Sequence, residues 1–125
     1  MVRTKYGMRH SNANGIKQFR TEVSTAATKA VLEQQVTTPL QGALSLSCIF
    51  ILARPKTVKR LLPFVKPDLD KLIRALCDAL TQSGVWVDDA QVTQVKASKV
   101  YASPSNHPIP GVIVSIAPVE SELDE

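Results

Sequence analysis

Residues 66–92 constrain the fold more than any other part of the chain. They read Lys66-Pro67-Asp68-Leu69-Asp70-Lys71, an apolar-periodic run over residues 72–80, then Gly84 and Val85-Trp86-Val87-Asp88-Asp89. Proline at 67 disfavours helical backbone at Lys66, so the approach is expected to be extended. Two residues apart on an extended chain, Asp68 and Asp70 point the same way. Leu69, Leu72, Ile73, Leu76 and Leu80 recur with helical spacing, which predicts a helix with Asp70 at its N-cap. At about 100° per residue that apolar set lies on one side. Asp70, Arg74 and Asp78 form a polar stripe on another side. Gly84 predicts the stop, and the short apolar run after it delivers Asp88 and Asp89. Carboxylates from two segments bracketing one helix are the oxygen ligands that a hard divalent cation needs.

Charge is informative once it is divided. Residues 1–66 hold 11 Lys/Arg against 2 Glu, a net of +9, and residues 67–125 hold 4 Lys/Arg against 9 Asp/Glu, a net of −5. Together these give the +4 of the chain. Five of the nine acids fall in the motif and four in the last six residues, so the remaining surface is strongly basic. A basic surface around an acidic pocket suits a polyanion whose cut bond is held by metal ions.

At 125 residues the chain is expected to be one domain, residues 1–125, with a real core. No apolar run approaches the length of a membrane span, and the basic, polar start does not read as a signal peptide; a cytoplasmic protein is expected. Residues 1–15, with Arg3, Lys5, Arg9 and the turn-prone Asn12-Ala13-Asn14-Gly15, show no strand or helix period and read as a flexible basic arm. Residues 16–35 predict a first helix, with Phe19, Val23, Ala26 or Ala27, Ala30 and Val31 on its apolar stripe. In residues 43–52, Leu44, Leu46, Cys48, Phe50 and Leu52 fall on one face with Ser45 and Ser47 opposite, which predicts a strand with one fully apolar side. Strands are also expected over residues 91–102 and 112–117, and an acidic flexible tail over residues 118–125. The order helix, strand, helix, strand, strand implies an α+β domain: a mixed sheet with both helices on one face.

Between the first strand and the acidic motif, residues 54–66 carry Arg54, Lys56, Lys59, Arg60 and Lys66, no acid, and two prolines. A wholly basic loop leading into a cation site favours phosphate contact over a plain connector. Cys48 and Cys77 sit on apolar faces and read as buried, reduced thiols. His10 and His107 are isolated in polar loops, without zinc-ligand spacing.

Pro67-Asp68-Leu69-Asp70-Lys71-Leu72, Arg74, Asp78-Ala79-Leu80 and Trp86-Val87-Asp88-Asp89-Ala90-Gln91-Val92 closely resemble the core of the RusA-type Holliday junction resolvases. These are small, dimeric, magnesium-dependent endonucleases of bacteria and phages, acting in DNA recombination and repair. The resemblance implies Asp68, Asp70 and Asp89 as metal ligands, with Asp88 an adjacent candidate, and Mg²⁺ as the ion, with Mn²⁺ the alternative. It implies no small-molecule cofactor. Arg74 stands where the family commonly has Lys; it keeps the charge near the scissile phosphate, but a guanidinium is no proton donor at ordinary pH. Asp78 is expected to be a salt-bridge partner on the same helix or a support for Arg74, the structural role being favoured. Arg54, Lys56, Lys59, Arg60, Lys66 and Lys71 are the expected DNA contacts. Paired cuts in a four-way junction imply a homodimer, since one site cannot place both. The alternative is a junction-binding module that has lost cleavage. Relatives of this kind begin with a strand ahead of the basic segment, and no counterpart is legible here.

Overall fold

The computed structural model describes residues 2–6 and 13–120. The elements are β1 (Val2–Tyr6), α1 (Ala13–Gln34), β2 (Leu44–Leu52), α2 (Leu69–Gln82), a short 3₁₀ turn (Asp89–Gln91), β3 (Val92–Tyr101) and β4 (Gly111–Pro118). The sheet has four strands in the order β1-β4-β2-β3. β2 and β3 run parallel, while β4 is antiparallel to both β2 and β1, so the sheet is mixed.

The parallel pair follows from what lies between its strands. A parallel connection needs a crossover of a dozen or more residues, and α2 is that crossover. Its apolar stripe, with Leu76, Ala79 and Leu80 buried, packs on the same core as Phe19, Val23 and Ala27 of α1. Both helices meet one face of the sheet, built from Leu44, Leu46, Cys48 and Phe50 of β2 and Val112, Val114 and Ile116 of β4. The expected α+β architecture with both helices on one face is therefore present. Ser47, on the opposite side of β2, is exposed.

Three boundaries differ from the sequence reading. A strand occupies residues 2–6 where only an arm was legible, pairing with β4 from Val2↔Ile116 to Tyr6↔Val112. A five-residue edge strand takes its ladder from its neighbour, so its own pattern carries little signal. α1 begins at Ala13, three residues ahead of the expected start, and takes Gly15 into its first turns. Arg9, His10 and Asn12 of the expected arm lie outside the described residues. At the other end, β4 runs through Pro118, and the Val119 amide donates to the Ala43 carbonyl at 2.9 Å. The expected tail thus starts inside the sheet, and residues 121–125 lie outside the described residues. No described helix is long and apolar enough to cross a membrane.

Candidate functional site

α2 begins one turn's fraction earlier than its spacing suggested. Asp68, not Asp70, is the N-cap, with extended backbone at φ −70° and ψ 140°, and its carbonyl accepts from the Leu72 amide at 3.1 Å. Pro67 fixes its own φ and restrains the residue before it, but not those that follow. Leu69 packs partly buried against the core, which draws it into the helix as the first residue. Asp70 consequently sits in the first helical turn, where the helix dipole favours a negative charge. The two carboxylates therefore do not share one stretch of extended chain. Asp68 makes no capping hydrogen bond, so its oxygens are not spent on the helix; its exposed carboxylate stands 3.8 Å from Lys71 Nζ. Lys71 is thus an ion-pair partner as well as an expected DNA contact.

At the far end of α2, Gly84 with φ +80° ends the helix, and its amide donates to the Thr81 carbonyl. Only glycine adopts that backbone cheaply. Val85 and Trp86 then enter the core. The Leu40 amide donates to the Val85 carbonyl at 2.7 Å, and Trp86 Nε1 donates to Thr81 Oγ1 at 2.7 Å. That anchorage presents Asp88 and Asp89 on the surface.

Asp88 caps the 3₁₀ turn, its Oδ1 accepting from the Ala90 amide at 2.9 Å. Gln91 completes the box: its Oε1 accepts from the amides of Val87 and Asp88, and its Nε2 donates to the carbonyls of Leu40 and Gly42, each at 3.0 Å. Gln91 is a positioning residue that sequence reasoning overlooked, although an Asp followed three residues later by Gln is a capping-box signal. Asp88 has one oxygen committed to this cap, which makes Asp89 the freer of the pair.

Asp89 is exposed, yet its carboxyl is held above the usual carboxylate range. Partial desolvation, a hydrogen bond to Asp88 and the charges of Asp88 and Asp78 raise it, against the lowering effect of Arg74. Asp88, Asp89, Asp78 and Arg74 therefore form one electrostatic group on the flank of α2. Asp78 is bridged to Arg20 of α1, at 3.1 Å from Nη2 to Oδ2, rather than paired with Arg74 as the helix spacing suggested. The partner comes from the neighbouring helix, which spacing along α2 cannot reveal. Burial pushes the thiol of Cys48 up to about 12 and that of Cys77 up to about 11, with Asp89 and Asp78 adding to the latter. Both are free, buried thiols, as expected, and neither is a thiolate at neutral pH.

The loop over residues 53–67 is built on β3. Lys99 Nζ donates to the carbonyls of Val65 (2.7 Å) and Pro67 (2.9 Å), gripping the chain on the doorstep of Asp68. Arg60 Nη1 donates to Tyr101 Oη at 2.8 Å, and the Arg54 guanidinium lies 4.7 Å from the Tyr101 ring centroid. Arg54 also donates to the carbonyls of Val58 and Leu61. Arg54 and Arg60, expected as DNA contacts, thus brace the loop, while Lys56, Lys59 and Lys66 are exposed. A Lys99→Met variant keeps the stem and removes both hydrogen bonds. It is expected to speed amide hydrogen exchange across residues 65–70, with the thermal midpoint little changed. Parental exchange rates there would show that the grip on the loop does not matter.

Among the described residues, no group of three or more His, Cys, Asp or Glu side chains is arranged to hold a metal ion. Asp68 and Asp70 stand at the start of α2, Arg74 one turn beyond Asp70, and Asp89 beside Arg74 and Asp78. Asp88, Asp89 and Asp78 are grouped with Arg74, whereas Asp68 and Asp70 lie at the start of α2, and together they do not close a cage. His107 belongs to a turn in which its carbonyl accepts from the Ser103 amide.

A family model described as Endodeoxyribonuclease RusA matches residues 1–116. No curated protein matches the chain.

Proposed function

Because the chain belongs to the RusA endodeoxyribonuclease family, we propose that it is a divalent-metal-dependent homodimeric nuclease that resolves four-way DNA junctions by paired symmetric cuts. The observation that carries this reading is the group of Asp88, Asp89 and Asp78 around Arg74, with Asp68 and Asp70 exposed at the start of the same helix and a basic loop leading into it.

The donor set is compatible with magnesium despite the absence of a closed protein cage. Mg²⁺ keeps several waters and is commonly bound by one or two carboxylates together with substrate phosphates. Asp70 and Asp89, with Asp68 at the helix start, are the proposed ligands, Mg²⁺ the proposed ion, and Mn²⁺ the alternative; Asp88 contributes chiefly by capping the turn that carries Asp89. Held by these carboxylates, an ion would supply a water of lowered pKa and offset charge on the phosphoryl oxygens. The chain's own groups do the rest. Arg74 offers a planar fork to the scissile phosphate. Gln91 fixes the Asp89 turn, and Lys99 fixes the approach to Asp68.

Lys56, Lys59 and Lys66 are the proposed phosphate contacts of the loop, with Arg54 and Arg60 as its internal struts. Replacing Lys56 and Lys59 together by Ala is expected to weaken junction binding and flatten its salt dependence by roughly 0.9 log unit per lost contact. Titrations at four salt concentrations check this, and an unchanged slope would make the loop a solvated connector. A homodimer supplies two sites related by the two-fold symmetry of the junction.

A labelled synthetic junction and a matched linear duplex, each with Mg²⁺ or with EDTA, test the function. Symmetric nicks in the junction alone, and only with Mg²⁺, are expected. Junction binding without cuts would identify a binding module of the same fold.

A further inference from the structure

The loop that leads into Asp68 carries an apolar tip that the phosphate-binding role does not use. Leu61 is 83% exposed, Leu62 58% and Phe64 79%. Soluble surfaces rarely set three large apolar side chains side by side in water. Nor are they there because the loop is slack. Pro63, between them, is buried, and the Phe64 amide donates to the Leu62 carbonyl at 2.9 Å. Arg54 and Arg60 fasten the loop to Tyr101 upstream of the tip, and Lys99 fastens the Val65 and Pro67 carbonyls downstream of it. Arg60 also lies over the Phe64 ring, 5.6 Å from its centroid. The tip is displayed by a braced scaffold, so little ordering is left to offset on binding.

The surroundings restrict what can cover it. Residues 54–66 hold five cations and no acid. A second copy docking tip to tip would set like charges against each other, which is costly at an interface. A polyanion is attracted, and the apolar surfaces of DNA are the faces of its bases. In an intact duplex those faces are stacked and hidden. At a branch point, stacking is interrupted and can be opened cheaply.

We propose that Leu61, Leu62 and Phe64 form a base-contacting wedge that recognises the unstacked centre of branched DNA, giving the preference for junction over duplex. This inference rests on the proposed nuclease reading. It assigns selectivity to the apolar tip and general affinity to the lysines. Apolar side chains inserted at a base step, and rings stacked on exposed bases, are established ways of holding distorted or single-stranded DNA.

The test compares the parental protein with Leu61→Ser/Leu62→Ser/Phe64→Ser and with Leu61→Ser alone, in Ca²⁺ so that binding is read without cleavage. Each binds a four-way junction and a linear duplex carrying 2-aminopurine either beside the branch point or ten base pairs along one arm. Parental protein is expected to change 2-aminopurine emission only at the branch point. The triple variant is expected to lose that signal and roughly tenfold or more of its junction-over-duplex preference, with duplex affinity, salt slope and thermal midpoint unchanged. Leu61→Ser is expected to fall between the two. An unchanged preference and unchanged emission in the triple variant overturn the wedge and leave the nuclease reading standing. Loss of self-association with equal loss of both affinities also overturns it, placing the tip in a contact between chains. A parental protein with no preference for junctions removes the nuclease reading and the wedge together.

Discussion

Asp89→Asn is expected to lower junction cleavage on the order of a thousandfold in saturating Mg²⁺. Loss of a group that merely supports a metal ligand costs about 10- to 100-fold, and loss of a ligand itself should exceed that. The substitution keeps the side chain's shape and removes its charge. Asp89 is exposed, and partial desolvation together with its neighbours Asp88 and Asp78 holds its carboxyl above the ordinary range. Because the folded state favours the neutral form, the contribution of this group to stability is present at low pH and lost as pH rises through its raised pKa. At neutral pH the Asn variant is therefore expected to be no less stable than the parent, and to bind junctions at least as well without metal. Asp70→Asn should match it in rate, with a slight loss of stability from the charge removed at the helix start. Asp68→Asn remains a good N-cap, so a rate loss there isolates ligation from capping. Single-turnover cleavage with thermal melts on the same samples separates the two roles. Loss of cutting that follows loss of folding would make the carboxylates structural.

Trp86→Ala carries the largest expected effect on stability, about 3–5 kcal/mol. The indole is 1% exposed and belongs to the core shared by both helices and the sheet. Its Nε1 also donates to Thr81 Oγ1, so truncation leaves a hydroxyl near the end of α2 without that donor. Trp86→Phe fills most of the space and should lose much less. Val87→Ala, at an exposed neighbour, should stay within about 0.5 kcal/mol. Because Val85 and Trp86 are the anchor from which Asp88 and Asp89 project, the Ala variant should also lose cleavage at temperatures where it remains folded. Urea unfolding of the three variants checks the order. A Trp86→Ala variant as stable as Val87→Ala would contradict the placement of the indole.

What could be read from the chain was what repeats at short range. The stripe of α2, the alternation in β2 and the helix stop at Gly84 all follow from neighbours within a few residues, and the structure has them. Asp68, Asp70, Asp88 and Asp89 are likewise exposed, although Asp78, within α2, is half-buried. What could not be read depends on partners far away. β1 takes its pairing from β4 at the other end of the chain. Asp78 takes its counter-ion from α1, 58 positions earlier. Lys99 reaches back to a loop more than 30 residues upstream. Arg54 and Arg60 look like free cations in sequence, but Tyr101, buried on β3, engages both. Asp68 displaced Asp70 as the cap because Leu69 has core to fill, a demand invisible until the sheet is in place.

Resolution of a plasmid-borne cruciform tests the central claim most directly. An inverted repeat extruded from supercoiled DNA is a four-way junction in an otherwise duplex molecule. Paired cuts within the life of one complex convert the circle to a linear form, whereas independent single cuts leave a nicked circle. In Mg²⁺ the parental protein is predicted to give linear product directly, with ends mapping symmetrically about the repeat, and EDTA or Asp89→Asn should abolish it. Persistence of the supercoiled circle, or nicked circles alone, with well-folded parental protein in Mg²⁺ would contradict it.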